Sequence, residues 1–182
     1  MVIGMAQPAL AAPRAFCGLE SGYVAVLGDW YSLYKPGFMI STKLGLQADR
    51  YTLTEFSLSY SPHDGRSEGT HVNLLDIGLG ARFRVAPLSP LNPYVFIGAA
   101  ASYADEILPF NPPNSSEWSK VKEWTTDWMV GIGGEVNLFR KTTINYGPVF
   151  HFTRIYFPDD SPDGKSDGYM AVDVKAGINY YF

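Results

Sequence analysis

In residues 169–182, apolar and polar side chains change places at every step. Met170, Val172, Val174, Ala176, Ile178, Tyr180 and Phe182 share one parity, and Ala171, Asp173, Lys175, Gly177 and Asn179 share the other. Successive side chains of a strand point to opposite faces, so a period of two predicts a strand with one apolar face and argues against a helix, whose period is 3.6. The pattern recurs along the chain. Leu75, Ile77, Leu79, Ala81, Phe83 and Val85 oppose Asp76, Gly78, Gly80, Arg82 and Arg84. Trp128, Val130, Ile132, Val136 and Leu138 oppose Asp127, Gly131, Gly133, Glu135 and Asn137, and Ile144, Tyr146, Phe150 and Phe152 oppose Asn145, Gly147, Val149 and His151. Ile40, Thr42, Leu44 and Leu46 oppose Ser41, Lys43, Gly45 and Gln47, and Thr54, Phe56, Leu58 and Tyr60 oppose Glu55, Ser57 and Ser59. Residues 22–31 and 94–104 also read as strands, but both of their parities are apolar or small, which leaves their facing open.

About eight strands result, with connections of two kinds. Those near 48–51, 86–93 and 139–142 are short, and those near 61–70, 105–123 and 158–168 are longer and rich in Pro, Gly, Ser and Asp. The connection at 33–37 is short, but by parity belongs with the long ones. Short turns on one rim and long loops on the other are the pattern of a transmembrane barrel, and no stretch approaches the roughly 18 consecutive apolar residues of a spanning helix. The expected fold is all-β: a transmembrane up-and-down antiparallel barrel of about eight strands spanning 13–182. Residues 1–12, with Ala9 and Ala11 in an A-x-A pattern, read as the remnant of a secretory signal peptide.

A soluble eight-stranded barrel has the same alternation with the apolar face inward. Three features favour the inverse. The polar faces are rich in Gly, Ser and Ala, and only 18% of the chain is charged. The charges on those faces come in both signs, as a narrow lumen requires, because an unpaired buried charge costs several kcal/mol. Tyr60, Trp128, Tyr146, Tyr180 and Phe182 lie near strand ends on the apolar face, where an interfacial girdle sits. The expected lumen network is Lys43, Glu55, Asp76, Arg82, Arg84, Glu135, Asp173 and Lys175. A net charge of −4 with scattered Lys and Arg offers no basic stripe for nucleic acid. The lone Cys17 forms no internal disulfide.

The segments LNPYVFIGAAASYAD (91–105), GIGGEVNLF (131–139) and VKAGINYYF (174–182) resemble the eight-stranded outer-membrane barrels grouped around the OmpA transmembrane domain, OmpX/Ail and the opacity-type proteins. The resemblance covers roughly residues 20–182. It implies a bacterial outer membrane location, with lipid or lipopolysaccharide and the outer-membrane assembly machinery as partners. In the terminal segment, Val174, Ile178, Tyr180 and Phe182 resemble the strand signal read by that machinery, a final Phe preceded by apolar residues at every second position.

Candidate chemistry is sparse. His151-Phe152-Thr153 resembles the His-x-Ser pair of lipid A 3-O-deacylases, but the hydroxyl is Thr, Arg154 stands where that family has Asn, and parity points His151 into the lumen. His63 and His71, flanking Asp64 and Glu68, match no metal-site spacing. The carboxylates of 159–167 lack the ordered ligands of a calcium loop, and Gly131 to Gly134 lie within a strand, so they form no phosphate cradle. The expectation is no catalytic centre, no cofactor and no metal. The role expected is structural or surface interaction, of adhesin or envelope-integrity type. A lipid A-modifying acyl hydrolase and a narrow small-solute channel are the alternatives. Segment 105–123, with Leu108, Phe110 and Trp118, is the expected contact surface toward a host or envelope partner, together with 158–168.

Overall fold

A computed structural model describes residues 13–27, 34–109, 118–154 and 168–182. Residues 1–12, assigned above to a signal peptide, lie outside these. Eight strands follow one another: β1 (Arg14–Leu27), β2 (Gly37–Gln47), β3 (Thr52–Asp64), β4 (His71–Arg84), β5 (Leu91–Pro109), β6 (Trp118–Phe139), β7 (Thr142–Arg154) and β8 (Gly168–Tyr181). Each pairs antiparallel with the next, and β8 closes on β1 through the register Phe16↔Tyr181 to Leu27↔Met170. Closure leaves the wall without an open edge, which is what lets a sheet stand in lipid.

The period-two reading sets the two faces. Leu44, Leu79, Trp128, Ile132, Val174 and Phe182 are among many large apolar side chains exposed on the outside. Lys43, Arg82, Glu135, Asp173 and Asn179 are buried inside. A belt of exposed Leu, Ile, Val and Phe around the barrel far exceeds the apolar patch a water-soluble monomer tolerates, so the wall is a lipid-facing one.

Two expectations change, and one facing left open by the sequence is decided. The first strand runs from Arg14 rather than 22, and its residues 14–21 pair with 40–47 of β2. The strand at 94–104 faces inward through its even positions, and Tyr94, Phe96 and Ala100 join Met129 and Val149 in an apolar sector of the lumen. The segment 105–123 is not a loop throughout. Its ends continue the hairpin of β5 and β6, through Asp105↔Lys122 and Ile107↔Lys120 to Pro109↔Trp118. Alternation is masked there by the prolines and by mixed charge, while pairing with a partner strand supplies the backbone hydrogen bonds.

β7 has one departure from regular geometry. Gly147 has φ +152°, and a Cβ there would stand 2.6 Å from the Gly133 Cα. Pro148 follows it and has no N–H to donate. The β6–β7 register is accordingly interrupted between Gly131↔Val149 and Gly134↔Tyr146.

Candidate functional site: the lumen

Ionic contacts brace the half of the lumen nearer the short turns. Glu20 of β1 meets Lys43 of β2 at 2.5 Å and Lys175 of β8 at 3.4 Å. Lys43 lies 3.8 Å from Glu55 of β3, and Glu55 lies 3.0 Å from Arg82 of β4. Past β5, Arg82 approaches Glu135 of β6 at 3.6 Å, and Arg84 binds the same carboxylate while donating across the barrel to the Tyr181 hydroxyl of β8 at 2.7 Å. β7 enters through the Asn145 amide, which donates to Glu20 at 2.5 Å, and β5 through Tyr94, whose ring lies 4.3 Å from the Arg82 guanidinium. Every strand thus holds a member of one polar web. Below it, Phe16, Leu53 and Tyr181 pack together toward the short-turn mouth.

A second cluster sits toward the long-loop end. The His151 Nε2 lies 2.8 Å from Asp173 Oδ2 and its Nδ1 3.7 Å from Asp127 Oδ2, while the Ser102 hydroxyl donates to Asp127 at 2.7 Å. Asp76 lines the same small void of about 10 Å³ with Val24, Ser61 and Leu74, a space at the lower limit for one water molecule. Beyond it, Tyr34, Val72 and Leu74 form an apolar layer. Deeper toward the mid-wall, the Ser59 hydroxyl donates to Ser41 at 3.0 Å.

Of the eight lumen residues expected from sequence, the fold brings Lys43, Glu55, Arg82, Arg84, Glu135 and Lys175 into the first web. It puts Asp76 and Asp173 in the second cluster. The first web also contains Glu20, which sequence reading missed because the first strand was expected to begin at 22. Carrying its parity back from Val24 by four residues reaches Glu20. Parity puts Asp127 and His151 on the inner face, but their convergence depends on which strands become neighbours.

In the second cluster the Ser102 hydroxyl bonds a carboxylate rather than the imidazole, and the void beside it has room for no more than about one water molecule. His151 is inside the barrel, away from lipid. Among the described residues no group of His, Cys, Asp and Glu is arranged to hold a metal. Of the expected contact residues, Leu108 is in β5 and Trp118 in β6, and Phe110 and 158–167 lie outside the described residues. Val174, Ile178, Tyr180 and Phe182 form one outward row at the β8 end.

No family model matches the chain, and no curated protein does either. Solved structures match it in fold. Neisserial surface protein A superposes with a TM-score of 0.66 at 14% identity, over 92% of this chain and 97% of that one. A major outer membrane protein from Thermus thermophilus gives 0.64 at 8% identity, over 94% and 100%. Ail, the attachment invasion locus protein of Yersinia pestis, solved with the heparin analogue sucrose octasulfate, gives 0.58 at 15% identity, over 93% and 99%. With its closed eight-strand wall and its lipid-facing exterior, this chain has the fold of the small outer-membrane β-barrels.

Proposed function

We propose that this barrel acts at its long-loop end as a surface-interaction or envelope-integrity protein, and that its lumen is a brace rather than a conduit or a catalytic pocket. The observation that carries the reading is the polar web from Glu20 to Glu135, which links strand to strand around the lumen and reaches across it from β4 to β8 through Arg84 and Tyr181. Eight strands enclose only enough space for their own side chains. A role that does not lie inside the wall lies on what projects from it. Among the described residues the β5–β6 hairpin projects furthest. Its register runs on to Pro109↔Trp118, whereas the β6–β7 register ends at Thr126↔Arg154.

The chemistry of that end narrows the partner. Across 28–37, 61–71, 105–124 and 154–168, acids outnumber bases eleven to six. A polyanion such as the heparin analogue bound by Ail would be repelled. The partner fitting this end is a basic protein surface, held also by the apolar residues Leu108, Phe110 and Trp118.

Replacing 107–119 by a short Gly/Ser turn is expected to leave heat-modifiable gel migration intact while abolishing adhesion of expressing cells to host-cell monolayers or their resistance to bile salts. Full retention of both by a folded, shortened barrel would move the role elsewhere. Stepwise conductance of the intact barrel in planar bilayers would favour the channel reading instead. The outward row of Val174, Ile178, Tyr180 and Phe182 supports its reading as an assembly signal. Phe182→Asp is expected to reduce the folded, membrane-inserted fraction, and an unchanged fraction would remove that role.

A further inference from the structure

The fold sorts the charges of this chain by height. The long-loop segments are acidic, the lumen is close to balanced, and the short-turn rim carries Arg14, Arg50, Arg140 and Lys141 against the single acidic side chain of Asp49. That carboxylate is already engaged, accepting the backbone N–H groups of Tyr51 at 2.6 Å and Thr52 at 2.8 Å. All four basic residues are exposed. Among the described residues none of them forms an ion pair, and three lie beside aromatic rings: Arg50 4.9 Å from Tyr51, Arg14 5.5 Å from Tyr181, and Lys141 5.9 Å from Tyr180.

One sector concentrates this arrangement. The β6–β7 turn presents Phe139, Arg140 and Lys141, and the Tyr181 N–H donates to the Lys141 carbonyl at 2.8 Å, which fixes the turn against the end of β8. The Phe182 N–H donates to the Ala15 carbonyl at 3.0 Å, beside Arg14. Phe139 is 75% exposed, Phe182 65% and Tyr180 45%. Apolar rings are thereby offered to acyl chains, and cations that form no ion pair with an Asp or Glu side chain among the described residues stand at the level of the headgroups. Aromatic and basic side chains at a membrane interface divide in this way, ring toward hydrocarbon and cation toward phosphate.

We propose that this sector of the short-turn rim, Arg140 and Lys141 with Arg14, Phe139, Tyr180 and Phe182, binds the phosphate headgroup of anionic phospholipids in the leaflet that the short turns face. Net negative charge is the selecting feature. A zwitterionic headgroup carries its own ammonium, which offsets what the phosphate gains from the rim, whereas phosphatidylglycerol keeps its full charge there. Lipid A phosphates belong to the opposite leaflet, beside the acidic end, where like charge opposes them. The inference rests on the orientation of a barrel with short periplasmic turns and is independent of any role of the long-loop end.

The test uses the full chain in phosphatidylcholine nanodiscs containing a minor fraction of phosphatidylglycerol, with retained lipids identified by native mass spectrometry. The intact barrel is expected to retain phosphatidylglycerol in preference to phosphatidylcholine, and high salt should weaken that preference. R140Q/K141Q should lower it by roughly thirtyfold, the equivalent of about 1 kcal/mol for each of the two cations near an anionic surface. K122Q, at the other end, should leave it unchanged. If the double variant fails the heat-modifiability check for folding, K141Q alone carries the test. No preference in the intact barrel, an equal fall in K122Q, or retention of lipid A through Arg140 and Lys141 in matched discs would each overturn the assignment.

Discussion

Leu79 and Arg82 stand three residues apart on β4 and meet opposite demands. Leu79 is 67% exposed on the outer face, and Arg82 is 2% exposed within the lumen. The outer face needs only apolar side chains, because hydrocarbon surrounds it and no partner is required. The inner face is as secluded from water, yet it holds charge, and it can do so only because opposite charges reach it from neighbouring and facing strands. Solvent exposure therefore means different things on the two faces. On the outside it marks contact with lipid, and on the inside even its absence does not mean apolar. The lumen is itself divided. The web near the short turns alternates in sign from strand to strand, whereas the cluster near the loops gathers Asp76, Asp127 and Asp173 around one histidine.

The sharpest way to break this comparison is to remove the inner charge. Arg82→Ala leaves Glu55 and Glu135 without a shared partner and is expected to cost about 3–5 kcal/mol, read by urea unfolding in lipid vesicles. A loss below about 1 kcal/mol would mean that the web is not what holds the lumen. The next largest effect comes from moving the same guanidinium outward. Leu79→Arg puts it against hydrocarbon and is expected to cost about 2–4 kcal/mol near the bilayer midplane. A neutral result in the same assay would reverse the assignment of faces.

The smallest effect belongs to a position in neither environment. Asp49, in the β2–β3 turn, is held below the ordinary aspartate value of 3.8 by the N–H groups of Tyr51 and Thr52. A lowered folded-state pKa contributes stability that is present above that ordinary value and is lost as pH falls through the lower folded one. The difference in unfolding midpoint between the native chain and Asp49→Ala should thus be small at neutral pH and vanish in strong acid. A difference that persists there would point to the turn backbone rather than the charge.

Much of the wall was legible beforehand because alternation is a local property. The division of β2, β3, β4, β6, β7 and β8 into two faces follows from parity, as buried Lys43 against exposed Leu44 illustrates. Where both parities are apolar or small, as around Phe96 and Ala100, the pattern carries no sign, and the inward apolar sector went unforeseen. The β5–β6 extension was hidden for a related reason: Pro109, Pro112 and Pro113 punctuate the sequence like a loop, although pairing extends to Pro109↔Trp118.

Local sequence alone dictates that this chain makes about eight strands and that most of them alternate between an apolar and a polar face. These properties depend on neighbours within a few residues. Which charges meet is set by how the strands close into a ring. Glu20 and Lys175 are far apart in sequence and come together because β8 closes on β1. Arg82 and Glu135 face each other across β5, which lies between their strands. Parity puts a side chain inside the barrel, but its height and its partner are set by strand register and closure, which are properties of the whole ring of strands.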